Sequence, residues 1–388
     1  MLILEIYLDH AATTPVAPEV VSAIEKLMHE DFGNPSSMHK KGVVAEKYIK
    51  EARKKISKAL QVNEKEIVFT SGGTESNNLA IKGCLPRKLK GRIITTKFEH
   101  PSVKNTVEAL GKNGYEVVFL PIDKEGQIKS GALDAALTPD TLLVSIMHVN
   151  NEIGSIQPIE AYGRTIHSYN QANGTKVLFH VDAIQSFGKI QIPIQSAHID
   201  LLSFSGHKIG GIKGSGGLFI RAGVHLTPLT DGGQQEFGIR PGTENIFGIV
   251  ALGCATELTF EHMKSRFAEM TSVKAHLRSL LEKDEKIHFN CPEGSPYILN
   301  VSFTGVKGEV MLHSLEMEDI YVSTGSACSS KKKNHSHVLE AIGLSDEQID
   351  SAIRISLGSS TTIENINEAA DQMLRIAASL RKVMKNRR

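Results

Sequence analysis

The residues best able to do chemistry in this chain follow short apolar runs. After "DLLSF" comes "SGHKIGG", which sets Ser205, Gly206, His207 and Lys208 at the end of a segment read as a buried strand. Lysine is among the residues least often buried without a partner, so packing rarely explains one at a strand end. A desolvated amine there loses pKa and becomes a Schiff-base former; the alternative is a lysine that snorkels to water. After "KVLFH" comes "VDAIQS", which puts Asp182 at the end of another such run. Desolvating a carboxylate alone is expensive, so Asp182 needs a cation or several donors, unless it is a structural cap. After "EIVFT" comes "SGGTESNN", with Gly72, Gly73 and Thr74 leading into a helical pattern. Glycines permit close backbone approach, and a helix start offers unpaired N–H groups with partial positive charge. That is a phosphate cradle in principle, or an ordinary strand-to-helix turn with a Thr cap.

Taken together, a phosphate cradle, a buried carboxylate and a strand-end lysine are what pyridoxal 5'-phosphate requires. The lysine forms a Schiff base, the carboxylate keeps the pyridine nitrogen protonated, and the helix start holds the phosphate. A dinucleotide loop fails on position, because "GGIKGSGG" (210–217) precedes a strand-like "LFIR" and opens no helix. His100, after "RIITTKFE", could lie over a cofactor ring as a base or be merely structural. Asn150 and Asn151 in "HVNNEIG" could donate to a ligand or shape a turn. Arg354 interrupts the apolar "AIRISLG" and wants a carboxylate, either a structural acid or an amino-acid substrate. His335 and His337 have no third ligand nearby in sequence, so no metal is expected. Cys328 lies in "STGSACSSKKKNH", a polar stretch without an apolar face, in a chain with four cysteines.

The elements that must position these groups alternate. "EIVFT", "RIITT", "EVVFL", "TLLVSIM", "KVLFHV" and "DLLSFS" are short, β-branched and apolar on both faces, as buried parallel strands are. Helical patterns between several of them imply βαβ crossovers and a mostly parallel sheet flanked by helices. Beyond about residue 245 the texture changes. One long helical pattern runs from "NIFGIVALGCATELTF" through "SVKAHLRSLLEKD", then short strands ("YILNVSF", "IYVST", "IRISL") mix with helices. We read a large α/β domain over 15–258 and a smaller α+β domain from 1–14 and 259–388. At 388 residues the length suits two domains. A net charge of +1 points to neither nucleic acid nor an acidic membrane surface. The scattered cysteines Cys84, Cys254, Cys291 and Cys328 form no C-x-x-C pair. With no basic leader and no apolar run near ~20 residues, the expectation is a cytoplasmic protein with no membrane association.

The segments "YLDHAATTP", "FGNPSSMH", "TSGGTESNN", "EHPSV", "HVNNEIG", "HVDAIQS", "SGHKIGGIKGSGGL", "IRPGTEN" and "STGSACSS" follow in this order over nearly the whole chain. In them the chain resembles the cysteine desulfurases of the NifS/IscS type, fold-type I pyridoxal-phosphate enzymes of the class V aminotransferase group. The resemblance implies that Lys208 carries the cofactor, Asp182 pairs with its ring nitrogen, and Gln185 contacts its ring hydroxyl. His100 would stack on the ring and shuttle protons. Gly73, Thr74, Ser205, Gly206 and His207 would hold the phosphate, with Thr243 reaching in from the partner subunit of a homodimer. Asn151 and Arg354 would bind the substrate, L-cysteine, with Arg354 on its carboxylate. Cys328 would be the nucleophile, taking the sulfur as a persulfide, releasing L-alanine and passing sulfur to an acceptor such as an iron–sulfur scaffold. His100 would accept the thiol proton, Lys331–Lys333 would aid the thiolate, and the 324–335 loop would move. The rival readings are a class V aminotransferase, a selenocysteine lyase, or a non-catalytic sulfur carrier on the same fold.

Overall fold

The computed structural model describes residues 5–86, 90–324 and 335–385. Among them, seven strands form a central sheet in the spatial order Ile67–Thr70, Gly216–Ile220, Leu201–Ser205, Leu178–Asp182, Thr141–Met147, Arg92–Thr96 and Glu116–Leu120. From Leu201–Ser205 to Glu116–Leu120 every neighbour is parallel. Only Gly216–Ile220 runs against its neighbours, so Ile67–Thr70 points the same way as the rest. The mostly parallel sheet is therefore observed, and its carboxyl ends lie on one side.

Successive strand residues point to opposite faces, and both faces are covered. Ile94 and Val144 enter one core with Ile56, Phe179, Phe204 and Leu252, while Ile93 and Leu143 enter another with Ile81, Val103 and Val107. Helices Lys40–Leu60 and Ile246–Glu261 pack together in the first core; Gly73–Gly83 and Pro101–Lys112 adjoin on the other face.

A second sheet is antiparallel, in the order Ala352–Ser356, Ile298–Phe303, Ile287–Asn290. Its core joins Val301, Phe303 and Ile353 to Leu277 and Met373 of helices Met263–Leu281 and Ile363–Lys385. The N-terminal Ile6–Tyr7 pairs in parallel with Ile320–Tyr321.

Two details differ from the sequence reading. The long helical pattern is two helices, Ile246–Glu261 and Met263–Leu281, meeting at His262 with a bend of 69°. The reason is that they serve different cores, Ile249 and Leu252 in the first, Met270 and Leu277 in the second. Strand Ile287–Asn290 was not anticipated, because its alternation of Ile287 and Phe289 with His288 and Asn290 runs for only four residues. No single helix among the described residues is long and apolar enough to cross a membrane.

A buried ion pair closes the sheet edge nearest the site. Arg53 Nη2 and Nη1 donate to Glu236 Oε1 at 2.7 Å and Oε2 at 3.0 Å, and Arg53 also bonds the Ile67 carbonyl. Glu236 Oε2 accepts the Phe69 N–H at 2.8 Å. The helix, the edge strand and the 235–238 turn are thus held at one carboxylate. Removing one member of a buried pair strands the other charge. Glu236→Ala is expected to lower unfolding free energy by about 3–5 kcal/mol in urea titrations. A loss below about 1 kcal/mol would mean the pair is not needed.

Candidate active site

Strand direction decides which side chains meet. The segments following Thr70, Thr96, Met147, Asp182 and Ser205 all leave the sheet on the same side, where ligands gather in such folds. Asp182 is buried, and its two hydrogen bonds come from neutral donors: Asn77 Nδ2 to Oδ2 at 2.8 Å and the Ile184 N–H to Oδ1 at 3.0 Å. Burial pushes its pKa up, opposed by the Ile184 N–H, the neighbouring His100, the Asn77 amide and the charge of Lys208. A protonated ring nitrogen would supply the positive charge that such a carboxylate calls for. Lys208 Nζ donates to the carbonyls of Ala11 at 2.7 Å and Ala12 at 2.6 Å. Gln185 Nε2 donates to the same Ala11 carbonyl at 2.9 Å, leaving its buried Oε1 without a partner among the described residues. That oxygen suits a ring hydroxyl.

Beside these lies a cavity of ≈ 450 Å³ lined by Gly72, Gly73, Thr74, Ser205, His207 and Lys213, among others. It opens at the start of helix Gly73–Gly83, whose first N–H groups have no intrahelical acceptor. Gly72 sits at φ 149°, where side chains are strained, and a Cβ there would point at Ser205 Oγ, 3.9 Å away. Ser205 Oγ is buried with no partner among the described residues, and an anion would complete it. His207 Nδ1 lies 3.2 Å from Thr13 Oγ1, and burial, with Lys208, Lys213 and Lys189 nearby, pushes its pKa down to about 4. It therefore serves this cradle as a neutral imidazole, and the cation is Lys213, which the sequence reading passed over. Gly206 is buried behind the cradle, and Thr243 is exposed and lines no part of the cavity. Donors, orphaned oxygen and lysine fit a pyridoxal phosphate.

The two asparagines separate clearly. Asn150 is used structurally: Nδ2 donates to the Phe98 carbonyl, and Oδ1 accepts from the N–H groups of Glu152 and Ile153. Asn151 gives its carbonyl to Arg354 Nη1 at 3.0 Å. Arg354 Nη2 pairs with Asp9 at 2.8 Å, while its buried Nε lacks a partner among the described residues. The structure thus supplies a structural acid and still leaves a guanidinium nitrogen open.

Residues 325–334, and with them Cys328 and Lys331–Lys333, lie outside the described residues. The ends of that segment are informative. Ser323 exchanges backbone hydrogen bonds with Arg354, N–H to O at 3.1 Å and O from N–H at 2.7 Å. Ser336 caps helix His337–Ala341 and donates to the Glu152 carboxylate. His337 Nε2 meets the Glu99 carbonyl at 3.0 Å, next to His100, whereas His335 turns towards Asp346 and Asp350. Asp9, Asn77, Glu99, Ser102, Glu152 and Ser336 all went unassigned in the sequence reading. The partners that tie them to the site are distant in the chain: Arg354 for Asp9, Asp182 for Asn77, Met147 for Glu99, Asn77 for Ser102, and Glu152 and Ser336 for each other.

Glu99 illustrates the electrostatics. Fully buried, it is pushed up to about 8 by desolvation and by the nearby Asp182 charge, against hydrogen bonds from Thr96 and the Met147 N–H. At neutral pH the proton sits on Glu99, which spares the pocket a second negative charge. A carboxyl with a raised folded pKa contributes stability below its unfolded pKa that is lost as pH rises through about 8. Wild-type Tm is therefore expected to fall relative to that of Glu99→Gln between pH about 5 and about 9; a constant difference would refute the assignment.

Comparison with known proteins agrees with this geometry. The chain matches the class-V aminotransferase family over residues 6–368. It is 43% identical to the cysteine desulfurase IscS of Dictyoglomus turgidum over 384 residues, covering 98% of this chain and 96% of the relative. A solved NifS-like protein superposes with TM-score 0.90 at 37% identity, covering 97% of this chain and 100% of that one. SspA in complex with cysteine gives TM-score 0.78 at 36% identity, covering 91% and 99%. The fold, the cradle and the strand-end lysine agree with these likenesses: the chain belongs to the class-V aminotransferase family, in its pyridoxal-phosphate-dependent cysteine desulfurase branch.

Proposed function

We propose that this enzyme removes sulfur from L-cysteine, giving L-alanine and a persulfide on Cys328 that an acceptor protein then takes. The observation that carries this reading is where the described residues flanking 325–334 are fastened. One end is paired to the backbone of Arg354, and the other is tied to Glu152 and to the carbonyl preceding His100. Both described flanks of 325–334, the span that carries Cys328 in the sequence, therefore end on residues of the site.

Lys208 would hold the cofactor covalently, Asp182 its ring nitrogen, Gln185 its hydroxyl, and the cradle of Gly73, Thr74, Ser205 and His207, backed by Gly206, its phosphate. When bound, pyridoxal phosphate supplies an electron sink for charge developing at the substrate's α-carbon. Arg354 Nε and Asn151 take the substrate carboxylate, which orients the amino acid, and the Lys208 amine carries the α-proton. Cys328 acts as thiolate. Its S–S bond forms as the substrate's C–S bond breaks, the electron pair stays on the substrate carbons, and a proton taken up at the β-carbon with return of the α-proton from Lys208 gives alanine. The enzyme is left with the persulfide sulfur.

The same reading extends outward. The acceptor would serve iron–sulfur cluster or thio-cofactor assembly in the cytoplasm, and Thr243, exposed on this chain, would reach the site of a second copy in a homodimer. The division into 15–258 and 1–14 with 259–388 is supported by the two separate cores and the bend at His262.

The test is Cys328→Ala. Alanine and sulfide release from L-cysteine should fall on the order of 10²-fold or more, with the cofactor absorbance kept. Release at the full rate would favour a lyase or aminotransferase that has no use for the thiol. A chain that shows no cofactor absorbance, and nothing for borohydride to fix onto Lys208, would overturn the enzyme reading.

A further inference from the structure

His100 does more than stand near the site. It is the N-cap of helix Pro101–Lys112, and its Nδ1 accepts the backbone N–H of Ser102 at 3.1 Å. Ser102 Oγ lies 2.8 Å from the same nitrogen. That oxygen in turn receives Asn77 Nδ2 at 2.9 Å, and the same Nδ2 donates to Asp182 at 2.8 Å. A continuous chain of hydrogen bonds therefore joins the imidazole to the buried carboxylate.

The direction of each bond follows from the inventory of donors. Asp182 as carboxylate can only accept, so the NH₂ end of Asn77 must face it, and the same NH₂ faces Ser102. With its oxygen accepting from Asn77, the Ser102 hydroxyl turns its one hydrogen to His100 Nδ1. Two donors, a backbone N–H and a hydroxyl, then converge on the single lone pair of Nδ1. A proton on Nδ1 would face both of them and open the helix cap. The positive end of the helix disfavours an imidazolium at this position as well.

We propose that Ser102 and Asn77 are positioning residues that hold His100 as the neutral imidazole with its proton on Nε2, so that it offers the site a hydrogen-bond donor and not a base. Among the described residues Nε2 makes no hydrogen bond, so that N–H remains for a ligand. A neutral imidazole does not surrender this proton readily; it stabilises negative charge by donating to it. The role expected from the sequence, acceptor of the Cys328 thiol proton, is thereby reversed, and that proton leaves by another route. The proposal rests on His100 being a site residue; it does not rest on the reaction proposed above.

The groups facing His100 are Asp182 from strand Leu178–Asp182, Lys208 from the turn after Leu201–Ser205, and His337 from helix His337–Ala341. Burial, Lys208 and His337 lower its pKa, and Asp182 opposes them.

The test is nitrogen NMR of the cofactor-loaded full chain carrying ¹⁵N-histidine, with His100→Gln to identify the signal. We expect Nδ1 at its unprotonated position and Nε2 at its protonated one, unchanged between pH about 6.5 and about 8.5. Hydrogen bonding to the neutral form lowers a pKa, so Ser102→Ala should raise that of His100 by about half a unit or more, and Ser102→Thr should restore it. A proton on Nδ1, an imidazolium at pH about 7.5, or a His100 pKa indifferent to Ser102→Ala would overturn the proposal. Absence of desulfurase activity would not change this readout, so the two readings fail separately.

Discussion

A carboxylate buried at the end of a parallel strand is the constraint around which the rest of this molecule is arranged. Asp182 has lost its water, and the protein returns only neutral hydrogen bonds from Asn77 and Ile184. Charge compensation has to come from what the site binds and from the cations placed near it. The surrounding choices follow. Glu99, close by, stays protonated at neutral pH, so two like charges are not forced together. Burial and neighbouring cations push the pKa of His100 down against the pull of Asp182, and that of His207 down to about 4. The lysines and the helix start face the places where negative charge arrives.

The site is also a seam. The stretch from Asp9 to Thr14 touches both units of the fold. The Ala11 N–H donates to Ser356 Oγ and Asp9 pairs with Arg354, both on one strand of the smaller sheet. The Ala11 carbonyl accepts from Lys208 and Gln185, and Thr13 and Thr14 hold His207 on the larger one. A displacement of the small unit would therefore be felt directly at the lysine. Two described residues that flank 325–334 meet this seam, Ser323 at Arg354 and His337 at the Glu99 carbonyl. Clefts between packed units are where small ligands are most often enclosed.

Much of the frame was legible beforehand. The apolar runs at 92–96, 116–120 and 141–147 became strands with the bounds read from the sequence, because short β-branched runs leave little alternative, although 116–120 is a half-exposed edge strand and only the other two are buried on both faces. Lys208, Asp182 and the Gly72–Gly73 turn stood out because each is a poor packing choice where it occurs. The kink at His262 was not legible. Both halves are helix formers, and only the placement of two cores makes the chain turn there.

The sequence by itself determined the chemistry at the strand ends, because residue type and a two-residue period act over a few neighbours. Tertiary structure decided how those groups are held. Asn77 reaches Asp182 across 105 residues and Asp9 reaches Arg354 across 345. An asparagine or a serine looks alike in any loop until folding brings its partner within hydrogen-bond range. The tautomer of His100 is such a property. Both hydrogens that converge on its Nδ1 come from Ser102 within "FEHPSV", but the hydroxyl is turned there by Asn77, 25 residues away, which no local pattern records.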